Sequence, residues 1–102
     1  MKLVQIFLPR YADNGRRFPA ALYARERELL IERFGELTAF TRSPVRGLWK
    51  SDAHAPKGDD LVIFELMVRR LDRQWWNNYR YKLQKRFRQK RLRVRVQDAK
   101  LI

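Results

Sequence analysis

The sequence predicts an α+β domain whose elements run βαββαβ. Three observations carry that expectation. Four runs have strand length and strand composition, at residues 3–8, 37–42, 61–68 and 92–97. Two helix-period stretches lie between them, each with a recognisable start or stop signal. The chain has 102 residues, which is room for one hydrophobic core, so residues 1–102 are read as a single domain.

Leu3 to Leu8 is apolar at both parities, Val4/Ile6/Leu8 and Leu3/Phe7, as a strand covered on both faces must be. Asp13-Asn14-Gly15 marks a turn, and Pro19 suits the first position of a helix because its fixed φ is already helical. That helix is expected to turn Tyr23, Ala24, Arg27, Leu30, Ile31 and Phe34 inward, with Leu22 and Leu29 as a second apolar edge. Gly35 ends it as a left-handed cap. Leu37 to Arg42 reads as an edge strand, extended past a kink at Pro44 through Gly47-Leu48-Trp49, and Ser51 to Asp60 as a polar hairpin loop. Leu61 to Val68, with Glu65 its one charge, is expected at the sheet centre. Asp72 is an N-cap and Leu71 with Trp76 a hydrophobic staple, opening a helix that buries Trp75, Trp76, Tyr79, Leu83 and Phe87. Leu92 to Gln97 alternates strictly, so one of its faces is buried. The order is that of a ferredoxin-like unit: a four-stranded antiparallel sheet with two helices on one face.

A strand has two faces, and the more apolar one belongs under the helices. That parity puts Val4, Ile6, Leu8, Leu37, Ala39, Val62, Phe64, Leu66, Leu92, Val94 and Val96 toward the helices. The opposite face then carries Leu3, Phe7, Phe40, Ile63 and Met67 among Gln5, Thr38, Arg42, Leu61, Glu65, Arg93, Arg95 and Gln97. So apolar a face predicts a covering partner, and a second copy of the chain is the simplest one.

In element order and in those apolar positions the chain resembles the dimeric α/β-barrel proteins, ferredoxin-like domains that pair sheet face to sheet face. The family includes cofactor-independent monooxygenases, isomerases and uncharacterised bacterial members. The resemblance implies a homodimer with ligand clefts at the barrel mouth or between sheet and helices, and no cofactor. The histidine, asparagine and tryptophan set of the monooxygenase members does not map onto this sequence, because the one histidine, His54, falls in the polar loop. No catalytic residue is carried over.

The chain has no cysteine, which excludes disulfides, thiolate-bound zinc and a cysteine nucleophile and fits a cytoplasmic location. No apolar run is long enough for a membrane span or a signal-peptide core. Net charge is +13, unevenly placed: thirteen Lys/Arg face ten Asp/Glu before residue 73, and eleven face one from there on. The C-terminal third therefore attracts anions.

Two sets of residues follow as candidates. Gln5, Arg42, Glu65 and Arg95 share the helix-free face, where Glu65 among apolar neighbours needs a cation or a hydrogen-bond donor; with Trp49 as a wall they form a site for a small anionic or aromatic metabolite. The plainer reading is an ion pair at a dimer interface. Tyr81, Lys82, Lys85, Arg88, Lys90 and Arg91 form the alternative, a nucleic-acid or polyanion surface where phosphate contacts and one stacking aromatic combine. Its plainer reading is a solvated basic face. RNA binding on the sheet is disfavoured, since residues 60–66 lack the basic-glycine-aromatic pattern of RNA-recognition modules and place Glu65 in the path of the phosphates. His54 with Asp52, Asp59 and Asp60 reads as a solvated loop and not as a metal site. Phosphate-loop, His-Glu-x-x-His and Gly-x-Ser-x-Gly motifs do not occur.

Overall fold

The computed structural model describes residues 1–42 and 60–102. The expected kink at Pro44, the strand extension to Trp49, most of the polar loop, and His54 lie outside the described residues. The elements are β1 (Lys2–Pro9), α1 (Ala20–Phe34), β2 (Thr38–Arg42), β3 (Leu61–Val68), α2 (Arg73–Arg86) and β4 (Arg93–Asp98). The four strands form one sheet in the order β2-β3-β1-β4 with every neighbouring pair antiparallel, the arrangement of a ferredoxin-like α+β fold.

β1 and β3 occupy the centre because they are the two strands apolar on both faces. Their register, Ile6 opposite Phe64 and Phe7 opposite Ile63, keeps the two parities separate across the sheet. Val4, Ile6, Leu8, Phe64, Leu66 and Val68 meet Tyr23 and Leu30 of α1 and Trp76, Tyr79 and Leu83 of α2 in one core. Each such side chain taken from water contributes roughly 1.5–3 kcal/mol. At the edge the helices no longer reach: all five residues of β2 are exposed, Ala39 among them, and so is Val96 on β4. The assignment of Ala39 and Val96 to a covered face holds for parity and fails for burial.

The helix ends follow local chemistry. Gly35 adopts φ 90° and its N–H donates to the Ile31 carbonyl, closing α1 as expected. Pro19 sits one position earlier than its sequence suggested, at the N-cap with extended backbone, and offers no side-chain cap. Asp72 caps α2 by accepting from the Trp75 N–H at 3.1 Å, and Leu71 packs against the core as the staple requires. The far end of α2 has no glycine. Arg88 takes the left-handed conformation at φ 50°, so that the Arg88 N–H reaches the Lys85 carbonyl and the Gln89 N–H the Gln84 carbonyl. That pair of hydrogen bonds turns the chain into β4.

The inward face of α1 differs from the expected one. Its buried residues are Tyr23, Glu26 and Leu30, with Leu22, Leu29 and Phe34 partly buried; Arg27 and Ile31 point outward, Ile31 with 47 % of its surface exposed. Rotating the helix this way buries a carboxylate, which is stable only because α2 supplies that carboxylate with partners. Trp75, expected among the inward residues of α2, is only partly buried, and Trp76 and Tyr79 fill the core.

Candidate functional site

The helix-free face is organised by register. Thr38, Glu65, Gln5 and Arg95 lie opposite one another across all four strands, and Phe40, Ile63, Phe7 and Arg93 form the next row. Of the five expected ligand residues, the fold therefore brings Gln5, Glu65 and Arg95 into one row, and Arg42 approaches from the end of β2; Trp49 is outside the described residues. The partner of Glu65 is an amide and not an arginine: Gln5 Nε2 donates to Glu65 Oε1 at 2.6 Å. That commitment leaves Gln5 Oε1 buried without a partner among the described residues. Such an acceptor costs about 1–3 kcal/mol. The donor that the register places opposite Gln5 is Arg95.

Phe7 anchors the face. The guanidinium carbons of Arg95, Arg42 and Arg93 stand 5.1, 5.9 and 6.0 Å from the centre of its ring. The ring's negative face offsets some of their mutual repulsion. Among the described residues the ion pairs are Lys2–Asp98 and Arg86–Glu26, so none of these three arginines has a carboxylate within pairing distance there. Arg93 was recognised as a residue of this face but not as part of a site; its link to Phe7 depends on the register of β4 against β1.

The expected exposed apolar patch is narrower than its five residues suggested. Phe7 and Ile63 are already buried within one chain, and Phe40 is the large apolar residue left open, at 41 % exposure. The register sets Ile63 between Phe7 and Phe40.

Tyr81, Lys82, Lys85, Arg88, Lys90 and Arg91 are all exposed, and Lys85 Nζ lies 4.7 Å from the centre of the Tyr81 ring.

One cluster was not foreseen. Glu26 is wholly buried, and Arg86 Nη1 donates to both of its oxygens, at 2.8 and 3.1 Å, while the Tyr79 hydroxyl donates to Oε1 at 3.1 Å. Burial and the neighbouring Glu26 charge push the Tyr79 phenol far up, so it stays a hydrogen-bond donor. No local pattern marks Glu26, because its partners come from 53 and 60 residues away. Beside this cluster the two helices leave an open cleft of about 490 Å³, lined in part by Arg33, Trp75, Lys82 and Arg86. Among the described residues no three metal-ligating side chains converge, and no helix is long and apolar enough to cross a membrane.

A second buried phenol makes a pH prediction. Tyr23 donates to the Pro9 carbonyl at the end of β1, and burial pushes its pKa from 10.0 up to about 12 against the lesser pull of Arg10. The folded chain thus holds this proton more tightly than the unfolded chain. The stability it contributes is complete below pH 10.0 and is lost as pH rises toward about 12. Alkaline unfolding followed by circular dichroism should begin in that window, and Tyr23→Phe should flatten the pH dependence there. Half-ionisation of Tyr23 at pH 10.0 with the fold intact would contradict it.

Comparison with protein-family models, with curated proteins and with solved structures gave no match.

Proposed function

We propose that the protein is a homodimer of the dimeric α/β-barrel kind that binds a small aromatic anion on its helix-free sheet face. The observation that carries this reading is the convergence of Arg42, Arg93 and Arg95 on the single ring of Phe7. Three like charges crowded around one apolar residue are relieved by an anion, and an anion with a flat ring finds an apolar floor between them. Gln5 and Glu65 border the site and favour a ligand that also carries a hydrogen-bond donor. A second copy laid on Phe40 would take that side chain from water and close the site to solvent.

Benzoate and salicylate are suitable probes, titrated by calorimetry at fixed ionic strength. Salicylate should bind more tightly through its hydroxyl, and Arg93→Ala with Arg95→Ala should weaken either ligand at least tenfold. Equal and non-saturating heats for benzoate, salicylate and chloride would reject the site. For the assembly, light scattering at micromolar concentration should give twice the 12.5 kDa of one chain, and Phe40→Asp should give one. A parent protein that scatters only as 12.5 kDa rejects the homodimer.

A second reading, binding of nucleic acid or another polyanion, is favoured by the exposed Tyr81 with Lys85 against its ring. It requires log affinity to fall by about 0.9 per phosphate contact for each unit of log salt. Lys85→Glu with Arg88→Glu should abolish oligonucleotide binding near physiological salt. Binding that is undetectable there, or indifferent to the double reversal, leaves the basic end a solvated surface.

A further inference from the structure

We infer that the cleft between α1 and α2 is a second ligand site, separate from the sheet face, and that it takes a phosphoryl group. The argument starts at Arg86. A single nitrogen, Nη1, serves both oxygens of Glu26. The Nε and Nη2 atoms make no hydrogen bond to a described residue, and they are not among the buried polar atoms left without a partner. They are therefore not sealed from solvent, and Arg86 is one of the residues that line the cleft. A guanidinium clamped on one edge by a buried carboxylate presents its other edge as a preorganised two-donor fork, the geometry that oxyanions accept.

The rest of the cleft matches that edge. Arg33 enters from α1 with its guanidinium carbon over the Trp75 ring, 4.4 Å from its centre, and makes no ion pair among the described residues. Lys82 stands one helical turn before Arg86 on the same side of α2. Against these three cations stand Glu32 in the lining and the buried Glu26 that holds Arg86, which leaves a surplus of one positive charge. A phosphoryl group offers three acceptor oxygens, enough to meet the two-donor edge of Arg86 and a further donor from Arg33 or Lys82 at once, where a carboxylate offers two. The ring of Trp75 is already engaged by Arg33 and by Tyr79, which stacks on it at 5.0 Å. The cleft therefore recognises the charged group and does not sandwich an aromatic ring. Its volume of about 490 Å³ lies within the range of about 300–1,000 Å³ common to small-molecule sites.

The test is a titration of the intact protein with inorganic phosphate, with chloride holding ionic strength constant, followed by nuclear magnetic resonance of the arginine Nε–H groups. Saturable shifts at Arg86 and Arg33 are expected. Lys82→Gln and Arg33→Gln, both at exposed positions that the fold does not need, should each weaken binding at least fivefold. Arg95→Ala on the sheet face and Tyr81→Ala on the polyanion surface should leave it unchanged; Lys82 belongs to the polyanion set as well, so Arg33→Gln is the variant that separates this site from both earlier readings. Glycerol phosphate is run alongside: tighter binding than inorganic phosphate assigns the group to an organic monoester, weaker binding to free phosphate. Shifts that never saturate, or that survive both Lys82→Gln and Arg33→Gln unaltered, overturn the proposal.

Discussion

Arg86→Met should destabilise the protein by about 3 kcal/mol, which for a domain of this size lowers the melting temperature by roughly 10–20 °C. Glu26 has no exposed surface, and Arg86 is the cation in contact with it. Removing that cation leaves a carboxylate that must either stay charged in an apolar site or take up a proton on folding, and both cost free energy. The Arg86 side chain keeps 23 % exposure, which places the effect at the low end of the range for breaking buried pairs. The double change Glu26→Leu with Arg86→Met should recover most of the loss, because a well-packed apolar pair replaces a buried ionic one at little net cost. Urea unfolding of the three variants measures both quantities. A single variant as stable as the parent would mean that the contact between α1 and α2 does not depend on this pair.

Phe87→Ala should cost about 4 kcal/mol, a large share of the 5–15 kcal/mol that holds a typical domain together. Phe87 is fully buried at the C-cap of α2, with the rings of Phe18 and Tyr23 at 5.2 and 5.3 Å. These contacts tie the end of α2 to the segment that leads into α1, so the cavity would open where three parts of the chain meet. Phe87→Leu keeps most of the volume and should cost less than about 1.5 kcal/mol. Denaturant unfolding distinguishes the two, and a cost under 1 kcal/mol for Phe87→Ala would show that the surrounding rings collapse into the space.

The sheet was legible because strand period is two and each strand declares an apolar parity. Reading Val4/Ile6/Leu8 against Val62/Phe64/Leu66 placed every central residue on its correct face and put Glu65, Gln5 and Arg95 on the opposite one, while their alignment in a single row came from the register of the folded sheet. The face of α1 was not legible in the same way. Its apolar positions fall on two overlapping stripes, Leu22/Leu29 and Tyr23/Leu30/Ile31/Phe34, and periodicity cannot choose between them. A hydrophobic count treats Glu26 as a reason to turn that side outward; Arg86 and Tyr79 reverse the decision, and they arrive from the second half of the chain.

Element order, strand parity, the Asp72 and Gly35 caps and the skewed charge were properties of the sequence itself, since each depends on neighbours a few residues apart. Which stripe of α1 is buried, how three arginines come to share the Phe7 ring, and that a single nitrogen of Arg86 serves Glu26 were decided only by tertiary structure. The physical reason is that apolar burial acts through local periodicity, whereas the burial of a charge is settled by the partner that reaches it, and in this fold those partners come from distant parts of the chain.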